Sequence, residues 1–443
     1  MSRDLRRDAI SIIEAALATV EPGRLVGEAL AFKDGNLTVA GQSYKLPAIE
    51  NIYVLGAGKA AAPMAAAVED ALEERISAGA VVVKDGHRKG GPREIEVLEA
   101  SHPVPDERGC EAARKLLGLA GEAGPDDLVI CLVSGGGSAL LSLPAGHLSL
   151  GDIQEATTAL LKCGAAIAEV NAVRKHLTVA SAGRLASACY PAEVLALIIS
   201  DVLGDDLEVI ASGPTVPDSS TFTQALEVLG RYGLTGRVPA AVLSHLTGGV
   251  VGRVAETPRP GDPAFGRVTN IILASNRDAV DAAAEAATAG GYNTFKLEPL
   301  QGEARDEAGE FAALACKEAR HGEPAAPPAC ILAGGETTVT IRGGGTGGRA
   351  QEFALTAAGR ITGLEDVLVF ACGTDGTDGP TDAAGAFADG GTVARAAELG
   401  LDPAAHLAEN NAYPFFKELG DLIMTGPTGT NVNDIYGLLV NKR

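Results

Sequence analysis

The sequence predicts an α/β protein of more than one domain, built on parallel sheets with helices packed against them. Three observations carry this. First, short apolar runs recur along the chain, each followed by a glycine-rich turn and an alanine-rich stretch. They are NIYVLG (51–56), AVVVK (80–84), LVICLVS (128–134), EVLALIIS (193–200), NIILAS (270–275), ACILAG (329–334) and VLVFAC (367–372). Continuous rather than alternating apolar runs suit strands buried on both faces, and strand–helix alternation implies right-handed crossover units. Second, the chain has 443 residues, too many for one ordinary core. Third, Trp is absent while Ala and Gly abound, which favours helices packed closely on a sheet over an aromatic-rich sandwich.

The elements follow in order. Residues 4–20 space apolar and charged side chains as a helix does, and LAFKDGNLTVAGQSYKL reads as a β-hairpin turning at DGN. The opening residues lack the apolar core of a signal peptide, so a cytoplasmic protein is expected. The segment 246–268 is rich in Gly and Pro without helical period. It sets the expected division into an N-terminal domain, 1–245, and a C-terminal domain, 246–443; the first helix and hairpin could pack on either.

Charge and cysteine exclude several functions. A net charge of −21 argues against nucleic acid, whose phosphates need a basic face. Seven scattered cysteines without a CxxC motif disfavour disulfides and zinc clusters, and Cys131 and Cys330 read as small core residues.

In open α/β sheets ligands bind at the carboxyl ends of strands, so the segments after each run matter most. After the first comes GAGKAAAPMA, with Gly56, Gly58 and Lys59 at a helix start. It has the outline of a Rossmann-like dinucleotide loop, but the lysine adds a cation where backbone N–H groups already favour an anion. The four-residue spacing and Ser/Thr of a Walker A loop are missing. After the third run, Ser134, Gly135, Gly136, Gly137 and Ser138 offer an anion nest and no GxSxG elbow. After the fourth, Asp201 stands where a carboxylate could hold Mg²⁺ or take a hydroxyl proton, while Asp205 and Asp206 could be helix caps. NAVRKHL carries Arg174, Lys175 and His176 at a helix end.

In the second half, GGGTGGRAQEF (343–353) puts five glycines in six residues before an arginine and a helix. It reads as a linker, a tight turn, or a loop wrapping phosphate with Gly347, Gly348 and Arg349. TTVTI before it alternates as a short strand. GTDGTDGPTDAAGA places Asp375, Asp378 and Asp382 in one glycine-rich loop, either a metal site or Asx turns. Glycine-rich anion loops, two placed cations and several carboxylates are together the parts list of phosphoryl transfer.

GAGKAA, SHPVPD, SGGGSALLSLP, NAVRKHL, SDVLGDD, IASGPTVPD, GGETTVT, GGRAQEFAL, GTDGTDGPTDAAGA and TGTNVNDIY, in this order over about residues 8–440, resemble the glycerate 2-kinase family, whose C-terminal MOFRL region would be about 329–438. The resemblance implies two α/β domains, the first Rossmann-like, with the active site in the cleft between them. It implies ATP- and Mg²⁺-dependent phosphorylation of D-glycerate to 2-phosphoglycerate. Lys59 and Arg349 match the family residues proposed to act on the transferring phosphate. Asp201 is then the candidate for the 2-hydroxyl or for metal, Asp375 a second metal candidate, and Arg174 a candidate for the glycerate carboxylate. A homodimer is admitted but not fixed by the sequence. Two departures stand out: the family KGG is Ser181-Ala182-Gly183 here, and the family asparagine of GGRNQE is Ala350. Members have often been labelled hydroxypyruvate reductase, which makes an NAD(P)H-dependent reductase the runner-up. A non-catalytic sugar-phosphate sensor would use the same loops without needing the carboxylates.

Overall fold

The computed structural model describes residues 4–441 apart from Asp34, Lys89 and Gly322. The chain divides into two compact units: Pro22–Leu273, and the segment ending at Glu21 together with Ala274 onward. The expected division near 246 is therefore corrected. That position lies inside the helix Ala240–Val250, whose Val242, His245 and Leu246 are buried. The Gly/Pro-rich stretch that follows is a loop within the first unit, because it leads into Val268–Ala274, a strand of that unit's own sheet.

In unit Pro22–Leu273 a sheet runs in the order Glu96–Ala100, Ile76–Lys84, Ile52–Ala57, Leu128–Val133, Glu193–Ile199, Val268–Ala274. The first five pair in parallel. Ile52–Ala57, first of the six in sequence, lies in the middle: the chain builds outward to one edge and then switches sides. This is the doubly wound order, and its switch point lies between Ile52–Ala57 and Leu128–Val133. Every residue of those two strands is buried, as continuous apolar runs require. The helix Glu107–Glu122 covers one face; Asp106 caps it by accepting from Gly109 N at 3.1 Å. Helices Leu150–Lys162, Ile167–Leu177, Phe222–Arg231 and Ala240–Val250 form a separate apolar cluster beside the sheet. The expected hairpin is a three-stranded meander, Ala31–Lys33, Asn36–Val39 and Gln42–Lys45; Asp34 of its DGN turn lies outside the described residues.

The second unit departs from the expected parallel sheet. Its order is Asn293–Lys296, Ala329–Thr338, Asp434–Val440, Val367–Gly373, Gly385–Asp389, Leu422–Ile423, with Leu300–Glu303 also on Ala329–Thr338. Asp434–Val440 inserts antiparallel to both of its neighbours. Continuous apolar runs report burial on two faces, not strand direction, and the helices on both faces here satisfy that pattern. Of TTVTI only the two threonines at 337–338 continue a strand. The N-terminal helix Leu5–Thr19 belongs to this unit: it packs on Asn276–Ala289, and Tyr292 Oη donates to Asp8 at 2.6 Å. The helix Arg349–Ile361 is apolar on two sides, with Phe353, Ala357 and Ile361 in one cluster and Ala354, Leu355 and Ala358 in another. All seven cysteines are unbridged, and Cys131 and Cys330 are core residues.

Candidate functional site

At the switch point of the parallel sheet, loops 56–60 and 134–138 interlock. Gly58 has φ +136°, and a Cβ there would lie 2.1 Å from Ser134 Oγ and 2.4 Å from Ser134 O. Only glycine permits that approach. The loop's N–H groups are taken inside the protein: Gly58 N donates to Val82 O at 3.1 Å and Lys59 N to Gly135 O at 2.9 Å. Ala60 N donates to Ser134 Oγ at 3.0 Å. The expectation that loop 56–59 turns these donors to an anion is therefore corrected. Gly56 lies within the sheet, where a Cβ would meet Leu132 and Val81 at 2.9 Å. The loop instead fixes where the Lys59 side chain, half-buried, leaves the helix start.

The SGGGS loop rests on a left-handed turn. Ala211, Ser212 and Gly213 all have positive φ, at 50°, 60° and 60°. Gly137 packs on Ala211, where a Cβ would sit at 2.7 Å, and Ser138 Oγ bonds Ser212 Oγ at 2.8 Å. Gly136 faces His102 and the Lys59 stem, at 3.2 and 3.6 Å from a Cβ built on it. Thus Lys59, Gly136 and His102 of SHPVPD share one corner, a neighbour the sequence reading did not assign. Such runs of strained backbone persist only where surrounding structure over-determines them. Ala182, the residue at the middle of the family KGG, also carries φ +54°, held by Ala182 N to Ser212 O at 2.8 Å.

Asp201 follows the strand Glu193–Ile199 and is half-buried. Asp206 caps the following turn, accepting from Glu208 N at 2.9 Å. Lys175 is a buried ion-pair partner of Asp218 at 3.2 Å. Arg174, on the same helix, is mostly buried; burial depresses its pKa, and among the described residues no carboxylate pairs with it.

In the second unit the loop 343–348 lies against residues 409–411. Gly345 N donates to Glu409 O at 2.8 Å and Gly344 N to Glu409 Oε2 at 3.4 Å. Thr346 N donates to Asn411 Oδ1 at 2.9 Å. Asn410 Oδ1 accepts from Arg342 N at 2.6 Å and Gly343 N at 3.1 Å, while its Nδ2 donates to Thr340 O at 3.3 Å and Glu352 Oε2 at 3.0 Å. The glycines are there because the backbones nearly touch: a Cβ at Gly343 would be 2.4 Å from Glu409 Cα. Residues 343–346 form a packed turn, each N–H bonded to residues 409–411.

The helix end beyond it is also occupied. Asp378, fully buried, accepts from Ala350 N at 3.1 Å and Gln351 N at 2.8 Å. A Cβ at Gly348 would strike its Oδ1 at 2.2 Å. Burial, with Asp434 nearby adding to it, raises the Asp378 pKa to about 7 against the pull of those two N–H bonds. What the helix offers is the Arg349 guanidinium. Asp434 holds Nε at 2.6 Å and Nη2 at 3.0 Å, and Glu336 holds Nη1 at 2.5 Å. Burial disfavours its charge, but Asp434 and Glu336 outweigh that and raise its pKa above the usual value. Gly347 contributes packing against Ala412. Of the three aspartates in the 370–386 loop, Asp375 accepts from Thr377 N and Oγ1, both at 3.0 Å, an Asx turn. Asp382 accepts from Tyr413 Oη at 2.6 Å. Among the described residues no three His, Cys, Asp or Glu side chains are grouped to hold a metal.

The residues around Arg349 and its loop that sequence reasoning did not single out are Glu336, Asp434 and Asn410; Asp378 was named as a metal or Asx-turn candidate and instead caps the helix start. Glu336 and Asp434 were visible as lone charges at the end and the start of apolar strands, GGE and NDIY. Nothing local marks Asn410.

Comparison with known proteins covers the chain from end to end. The model for "Domain of unknown function (DUF4147)" matches residues 8–247, and that of the MOFRL family residues 329–434. A glycerate 2-kinase of Pyrococcus horikoshii is 42% identical over 446 residues, covering 100% of this chain and 99% of that protein. A D-glycerate 2-kinase of Thermotoga maritima is 42% identical over 441 residues, covering 98% and 99%. The solved structure of the Thermotoga maritima glycerate kinase superposes with a TM-score of 0.85 at 40% identity, covering 98% of this chain and 99% of that one. Some relatives, in Agrobacterium vitis, carry a provisional hydroxypyruvate reductase name.

Proposed function

The chain belongs to the glycerate 2-kinase family, and from that premise we propose how its residues divide the reaction. It is a phosphotransferase with an alcohol acceptor, converting D-glycerate to 2-phosphoglycerate with release of ADP. The observation that carries this is end-to-end identity to named glycerate 2-kinases, at 42% for two of them. ATP is the donor. Lys59 and Arg349 neutralise γ-phosphoryl oxygens, the first as a point charge and the second as a fixed fork. Ser134–Ser138 lies at the switch point, where such sheets take their ligands.

Arg174 takes the glycerate carboxylate: it is a mostly buried cation without a paired carboxylate. Asp201 orients or deprotonates the 2-hydroxyl. Mg²⁺ bound to nucleotide phosphates needs only one or two protein carboxylates; Asp201 or Asp375 would hold it, and it would neutralise phosphate charge. A cytoplasmic location belongs to the same proposal, with ATP as the co-substrate at hand.

The reductase reading needs an acidic residue to hold the ribose after the next strand. Asp85, which ends that region, is held by both Arg108 Nη groups at 2.6 and 2.8 Å. The deciding test gives purified protein D-glycerate, ATP and Mg²⁺ in one arm and hydroxypyruvate with NAD(P)H in the other. Metal-dependent ADP release with 2-phosphoglycerate as product is expected. Nicotinamide oxidation without ADP release overturns the proposal.

A further inference from the structure

Arg349 is paired on two sides by carboxylates of opposite character. The Asp434 side chain is 3% exposed and that of Glu336 is 46% exposed. Asp434 is also anchored from beneath: Tyr436 Oη, fully buried, donates to its Oδ2 at 3.0 Å and bonds Thr337 Oγ1 at 3.0 Å. Separating a buried bidentate pair would strand a charge out of water, which is strongly unfavourable. Glu336 has no such constraint. It is half in solvent, and its other oxygen accepts from Asn433 Nδ2 at 2.9 Å, so it stays partnered after letting Arg349 go. A carboxylate on the outer edge of a guanidinium occupies the same donor that a phosphoryl oxygen would use.

We infer that Asp434 is a positioning residue that keeps the Arg349 fork aimed, and that Glu336 is a stand-in carboxylate which a phosphoryl oxygen of the nucleotide displaces from Nη1. The inference rests on Arg349 being the phosphate clamp. Its logic is that the guanidinium is paired in both states. Arg349 is at no point a bare, partly buried cation, and binding exchanges one anion for another. The exchange lowers nucleotide affinity, because ligand must compete with Glu336.

The experiment compares wild type, E336Q, R349A, E336Q/R349A and D434N. It measures Mg²⁺-ATP binding by calorimetry without glycerate, steady-state kcat and KM, and thermal melting. E336Q is expected to tighten ATP binding about two- to fivefold, the range of an exposed ion pair, with kcat within about twofold. In the R349A background that gain disappears. D434N lowers kcat at least about tenfold with a smaller change in KM, the signature of an interaction needed in the transition state. Unchanged ATP affinity in E336Q overturns the displacement, and so does an equal gain in both backgrounds, which is a general charge effect. A tenfold loss of kcat in E336Q makes Glu336 part of the chemistry and also overturns it. D434N that melts like wild type with full kcat overturns the positioning role. R349A alone within a few-fold of wild type overturns the clamp itself, and is read separately from the other outcomes.

Discussion

The two glycine-rich loops look alike in sequence and present cations of different chemistry, a lysine ammonium and an arginine fork. Loop 56–60 locks against Ser134, and its lysine leaves the backbone on a flexible stem. Loop 343–348 locks against residues 409–411, and its arginine is clamped by Asp434 and Glu336. In both, glycines serve contact between protein backbones, at Gly58 and Gly343, and the N–H groups of residues 58–60 and 343–346 are taken by protein acceptors. Glycine richness at these positions reports backbone packed closely on backbone. The contrast also separates roles: a lysine can follow a moving phosphoryl group, whereas a fixed fork defines where that group must go.

The largest effect expected of this contrast is on turnover. R349A should lower kcat about a thousandfold or more, measured by ADP release, and R349K should recover little because a point charge cannot replace the fork. K59R should be tolerated better than R349K if the lysine acts as charge alone; equal losses would mean that the two cations act alike.

Next comes the interlock. G58A places a methyl group into Ser134 at a φ of +136°, and should destabilise by about 1–3 kcal/mol or more, read by chemical denaturation. N410A leaves the Arg342 and Gly343 N–H groups without their acceptor and should cost about 1–3 kcal/mol. If N410A also lowers kcat more than K59A does, the turn positions Arg349 more strictly than the other loop positions its lysine.

The effect on pH is read as a trend. Asp378 titrates at about 7 in the folded protein and near 3.9 when unfolded, so the folded state binds its proton more tightly. Its contribution to stability is present below about pH 4 and is lost as pH rises through about 7. Paired carboxylates such as Asp218 and Glu256, whose pKa values are lowered, have the opposite slope. The difference between wild type and D378N isolates the first trend: relative to D378N, wild type should lose stability from pH 4 to 7. A flat difference breaks the assignment of Asp378 as a buried, neutral-leaning cap.

The sequence by itself determined the long apolar strands and the segments where chemistry could sit. Buried runs such as LVICLV need no partner to be identified, because burial on two faces is written into each residue. The doubly wound first sheet and the positions of Lys59 and Arg349 followed from the same local signals and from the family motifs. Tertiary structure alone decided the rest. Strand direction in the second sheet depends on Asp434–Val440 returning from the far end of the chain. The division into units depends on the N-terminal helix docking beside residues 276–289. Above all, whether a backbone N–H faces a ligand depends on what lies opposite it. For loop 343–348 the partner is some 65 residues away, for the start of the helix it is Asp378, and for the Arg349 fork it is Asp434, 85 residues on. Hydrogen-bond satisfaction is a property of pairs, and the sequence presents only single members of each pair.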